Sequence, residues 1–132
     1  MYRRLARRLR IHFRDVTWQL DLPTWLRPAA TITVFLNADR PSTPYRYHSG
    51  APLVAAYEYT VPAAKVWSDQ LMLDRAFATF NGYPKYPDDD AHADAWAAAG
   101  HRSLSVGDVV AIDDRHYACE SFGWRLVTAP RA

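Results

Sequence analysis

"VGDVVAIDDRHYACESFGWRLV", Val106 to Val127, decides the fold. Val110 and Ile112 alternate with Val109 and Ala111, and Asp113 with Asp114 falls where a two-residue hairpin turn belongs. Tyr117 and Cys119 then share a face of the next strand. Gly123 suits a second turn or bulge before Trp124 and Leu126, which alternate onto one face of a third strand. At the entry, Gly107 allows the chain to swing into the sheet, Asp108 bonds nearby amides as an Asx turn, and Ser103 and Ser105 satisfy backbone groups. Ser103, Ser105, Gly107, Asp108, Gly123 and Trp124 are thus assigned to the scaffold.

Upstream of this meander the pattern changes period. "TITVFLNA" is rich in β-branched residues, with Ile32, Val34 and Leu36 on one face. "LVAAYEYTV" places Leu53, Ala55, Tyr57, Tyr59 and Val61 on one face, and the two runs predict an antiparallel ribbon joined by a long loop. Pro62 then opens a long helix that runs to about Phe80, because proline at the first helical position forgoes no helical hydrogen bond. Val66, Leu73, Phe77 and Phe80 form its buried stripe, and Asn81 with Gly82 offers a left-handed stop. Asp90 caps a short helix that Gly100 ends.

At the start of the chain, Leu5, Ala6, Leu9, Phe13, Val16 and Leu20 recur at spacings of three and four, with arginines largely between them, which predicts a basic amphipathic helix. Residues 1–28 are therefore expected to be a helix and linker, and residues 29–132 a single domain. The expected class is α+β: a mostly antiparallel sheet of about five strands, in the order β-β-α-α-β-β-β, covered on one face by the long helix.

"RSLSVGDVVAIDDRHYACESFGW", preceded by a helix ending "AFATFN", resembles the C-terminal part of the YodL-like proteins of actinobacterial and firmicute plasmids, conjugative elements and phages. The resemblance covers residues 62–127. It implies an accessory protein of a mobile genetic element and carries over no catalytic residue. Asp114 departs from the glycine that a type I′ turn prefers at the hairpin.

The chain has 132 residues, 49% of them hydrophobic, enough for a real core. No run reaches the roughly 18 to 20 apolar residues of a membrane span, and the basic start is followed by no apolar segment of a signal peptide, so a cytoplasmic location is expected. The single cysteine, Cys119, supplies neither an internal disulfide nor a zinc quartet. His92, His101 and His116 with Asp88, Asp89, Asp90 and Asp94 lack metal-ligand spacing, so no metal is expected. His116 and Cys119, three apart on a strand, fall on opposite faces and make no nucleophile–base pair. Dinucleotide, Walker-type, GxSxG and HExxH motifs are all absent, and no cofactor is expected. For an enzyme without such a motif, the best residues are Glu58, His101 and Asp108.

Charge at the start of the chain is the strongest functional signal. Arg3, Arg4, Arg7, Arg8, Arg10 and Arg14 stand without an acid in residues 1–14, giving +6, so the remainder of a chain of net charge +2 sums to 2 − 6 = −4. That asymmetry implies a partner. Nucleic acid is the first expectation, with the helix attracting phosphates and Arg40, Tyr45, Arg46 and Tyr47 of the long loop supplying stacking. The alternative is an adaptor or inhibitor that lays Leu5, Leu9 and Phe13 into the groove of a host or element protein, or into a second copy. An anionic membrane surface is a third.

Overall fold

The computed structural model describes residues 8–13, 16–21, 29–39 and 46–129, the first two stretches as backbone only. Strands β3 (Ala30–Asn37), β4 (Leu53–Val61), β5 (Val109–Ile112), β6 (Arg115–Cys119) and β7 (Trp124–Val127) form one antiparallel sheet in the order β4-β3-β5-β6-β7. Helices α1 (Asp69–Thr79) and α2 (Asp90–Ala98) lie between β4 and β5 in the chain. The α+β class and the five-strand antiparallel sheet stand as expected.

The main core lies between the sheet and these helices. Ile32, Val34, Val110 and Ile112 meet Met72, Leu73, Ala76 and Phe80 of the α1 segment, Trp96 of α2 and Leu104. Each large side chain so buried contributes roughly 1.5–3 kcal/mol. All four residues of β5 are buried, so the central strand is covered on both faces and not on one. On the second face Tyr47 packs with Val109 and Ala118, a contact that the loop composition concealed.

Four expectations are corrected. Where the described residues fall within the expected N-terminal helix, β1 (Arg8–Phe13) and β2 (Val16–Asp21) instead pair as a separate antiparallel ribbon. The spacing of three and four was also a spacing of two: Leu9, Ile11 and Phe13 alternate with Arg8, Arg10 and His12, and Val16, Trp18 and Leu20 do the same with Thr17, Gln19 and Asp21. The β-branched and aromatic content then favours the strand. Arg3, Arg4, Arg7 and Arg14 lie outside the described residues.

The long helix is also shorter than expected. Pro62 leads only into a 3-10 turn, Ala63–Lys65, after which Val66 is extended. Helix α1 starts beyond it, where the Ser68 hydroxyl accepts the Leu71 N–H at 3.4 Å, and its end is set by Gly82 at φ +88° as expected. Helix α2 begins at Asp90 without a side-chain cap, because the preceding Asp89 carboxylate is taken by Arg75. In β4 a bulge makes Val34 oppose Tyr57 and Phe35 oppose Ala55, leaving Ala56 as the extra residue. Tyr57, Tyr59 and Val61 therefore join the main core, while Leu53 packs on the second face. Among the described residues no helix is long and apolar enough to cross a membrane.

Candidate functional site

The entry to β5 is built around a buried carboxylate. Asp108 is fully buried, and its Oδ2 accepts Arg102 Nη1 at 2.7 Å and Ser105 N at 2.8 Å. Its Oδ1 accepts Arg102 Nη2 and Asn37 N, both at 2.8 Å. Asn37 Nδ2 in turn donates to the Gly107 carbonyl at 3.1 Å, and Arg102 Nη2 to the Asn37 carbonyl at 3.0 Å. This network staples the end of β3 to the start of β5, and Gly107 turns the chain there at φ +96°.

Asp108 bonds one nearby amide, that of Ser105, and beyond the local turn it reaches the amide of Asn37 and the guanidinium of Arg102. Ser105 joins through its hydroxyl as well, 3.4 Å from Asp108 Oδ2, whereas the Ser103 side chain is exposed and only its carbonyl is used, by Arg102. Arg102 was not foreseen. Its position six residues before the aspartate gave no periodic signal, and only the fold brings the two together.

The turns on either side of β6 have their own partners. Asp113 carries the left-handed φ of +55° at the hairpin. Its N–H donates to the Thr31 carbonyl at 2.8 Å and its Oδ1 accepts Thr31 N at 2.9 Å. Asp114 does not share the positive φ, so the glycine of a type I′ turn is not needed there. Gly123 turns at φ +73°, and Trp124 packs edge-on to Phe77 with its Nε1 3.3 Å from Asp74 Oδ1.

Glu58, His92, His101, Asp108 and His116, the candidate catalytic and metal residues, have separate partners. Glu58 accepts the Thr33 hydroxyl at 3.1 Å, His101 lies against Trp96, and Asp108 is committed to Arg102. His92 Nδ1 is 2.8 Å from the Tyr57 hydroxyl, and His116 lies against Phe35 on the second face. Cys119 is buried, and burial, with the charges of Asp108 and Glu120, pushes its thiol up to about 12. It is a poor nucleophile there. Among the described residues no three His, Cys, Asp or Glu side chains are placed to hold a metal ion.

The second face carries an open groove of about 1110 Å³, lined by Phe35, Tyr47, Leu53, His116, Arg125 and Val127 among others. Its guanidinium is occupied: Arg125 donates to the Tyr47 carbonyl at 2.8 Å and pairs with Glu120 at 3.3 Å. Arg46 is exposed and also pairs with Glu120, at 3.0 Å, while Tyr47 is only 6% exposed. Arg40 and Tyr45 lie outside the described residues.

The five arginines whose side chains are described all face carboxylates: Arg46 and Arg125 on Glu120, Arg75 on Asp89, Arg102 on Asp108 and Arg115 on Asp69. Arg75 additionally lies over a T-shaped ring pair, 4.8 Å from the Trp67 ring and 4.6 Å from that of Tyr86. Among the described residues each arginine side chain is thus matched by a carboxylate. At the other end of the chain, β1 and β2 pair Arg8 with Asp21, Leu9 with Leu20, Arg10 with Gln19, Ile11 with Trp18, His12 with Thr17 and Phe13 with Val16. In this register polar residues stand opposite polar ones and apolar residues opposite apolar ones at every step. No protein-family model, curated protein or solved structure matches this chain.

Proposed function

We propose that this is a small non-enzymatic binding protein that engages nucleic acid through its arginine-rich N-terminal stretch. The carrying observation is the division of charge, +6 over residues 1–14 against −4 over the remainder. Arginines concentrated in one short stretch attract phosphates by releasing condensed counterions. The body supports the reading by contrast, since its described arginines are already matched by carboxylates. Tyr47 is withdrawn as a stacking platform because its ring is packed on Val109 and Ala118. The resemblance of residues 62–127 to YodL-like proteins supplies the setting, an accessory protein of a mobile genetic element.

A protein partner is the second reading, favoured by the apolar pairs Leu9–Leu20, Ile11–Trp18 and Phe13–Val16 of the ribbon. The test is a full-length variant with Arg3, Arg4, Arg7, Arg8, Arg10 and Arg14 all replaced by glutamine, titrated beside the wild type against labelled mixed-sequence oligonucleotides. Loss of at least about a hundredfold in affinity at low salt is expected from removing several phosphate contacts. Equal affinity of the two proteins contradicts the proposal.

A further inference from the structure

We infer that the β1–β2 ribbon is the reading element for double-stranded DNA, presenting one row of its residues to a groove of the duplex. This rests on the nucleic-acid reading above and narrows it. Successive residues of a strand alternate between two sides, and cross-strand partners share a side. The register therefore sorts the twelve residues into two rows. One holds Leu9, Ile11, Phe13, Val16, Trp18 and Leu20; the other holds Arg8, Arg10, His12, Thr17, Gln19 and Asp21.

The second row has the composition of a base-reading surface. Arginine offers a bidentate fork to guanine, glutamine one to adenine, and threonine a single donor or acceptor. Arg10 and Gln19 are direct cross-strand partners at the middle of the row, and His12 with Thr17 is the next pair. Arg8 pairs with Asp21, so the only acid closes one end of the row. Six residues in extended conformation span about 17 Å, which matches roughly five base-pair steps. The major groove of B-form DNA admits a two-stranded ribbon of this kind.

The same sorting argues against a single-strand specialist. Such proteins stack bases on aromatic rings. In this ribbon both large aromatic residues, Phe13 and Trp18, belong to the apolar row, and in the loop Tyr47 is buried. The one ring in the arginine row is the imidazole of His12, and Thr17 and Gln19 beside it are hydrogen-bonding residues without rings.

The experiment uses the full-length protein and a labelled 20-base-pair duplex of mixed sequence beside its two separated strands, with anisotropy read at two salt concentrations. Duplex binding at least about tenfold tighter than single-strand binding is expected, with Arg10→Ala and Gln19→Ala each weakening the duplex complex about tenfold, the size of one lost bidentate contact. Both substitutions should also narrow the difference in affinity between duplexes of different sequence, as the loss of a base contact does and the loss of a phosphate contact does not. Thermal unfolding of each variant at the wild-type midpoint shows that the loss is one of contact. Binding of single strands as tight as duplex, or indifference to both substitutions, overturns the ribbon as a duplex reader while the nucleic-acid reading stands. Absence of binding to either form overturns both.

Discussion

Arg102 and Asp108 form a two-pronged ion pair, Nη1 to Oδ2 at 2.7 Å and Nη2 to Oδ1 at 2.8 Å, in which the carboxylate is fully buried and the guanidinium about one-third exposed. Because Asp108 also holds the amides of Asn37 and Ser105, its loss leaves donors of three residues in two segments without their acceptor. Asp108→Ala should destabilise the domain by about 3 kcal/mol or more in denaturant unfolding. Arg102→Ala should cost a comparable amount, since it leaves the fully buried Asp108 carboxylate without its cation. A change under about 0.5 kcal/mol for Asp108→Ala, the range of an ordinary surface substitution, would remove the network from the account of stability.

Gly107 sits at φ +96° beside that carboxylate. Valine there should cost roughly 1–3 kcal/mol through backbone strain alone, read as a lower unfolding midpoint. Unchanged stability would show that the turn has a second conformation open to side chains.

Asp113 separates two roles of one residue. Asn accepts the left-handed conformation and keeps an acceptor for Thr31 N, so Asp113→Asn should stay within about 0.5 kcal/mol of the wild type. Asp113→Ala loses both and should fall by about 1–2 kcal/mol. Asp113→Gly relieves the strain but still lacks the acceptor, and belongs between them. Equal stability of all three contradicts the Asp113–Thr31 bond.

Alkali should weaken the fold. Burial and neighbouring acids push Cys119 from its ordinary 9.0 up to about 12, and burial with the bond to Asp69 pushes Tyr117 from 10.0 up to about 12. Both groups stay protonated in the native protein at a pH where the unfolded chain releases the proton. Their stabilising contribution is fully present below pH 9 and is lost as pH rises from about 9 to 12. Unfolding midpoints measured at pH 8, 10 and 11 should fall, with a smaller fall in Cys119→Ala and in Tyr117→Phe. A flat profile contradicts the burial of the two groups.

Much of the sheet was legible because β-branched alternation, Asp113–Asp114 and Gly123 are local signals. The N-terminal ribbon was not: Leu9 and Phe13 fit a helix at a spacing of four, and they fit a strand once Ile11 is counted between them. Pro62 is equally at home before an α-helix and before the 3-10 turn that follows it here. The face of Leu53 was misread because a bulge at Ala56 leaves no mark in a single sequence. Of the candidate site, the arginine excess was visible as composition, but the burial of Tyr47 and the pairing of Arg46 with Glu120 depend on contacts made across the chain.

The central claim is that the N-terminal arginines meet phosphates, and the salt dependence of binding tests it most directly. Affinity of the full-length protein for a mixed-sequence duplex, measured from 50 to 200 mM salt, should fall along a log–log line of slope about −4 to −5, as expected when about five phosphates are neutralised. A slope near zero, or no binding at 50 mM, contradicts the claim and assigns the arginine stretch to a partner other than nucleic acid.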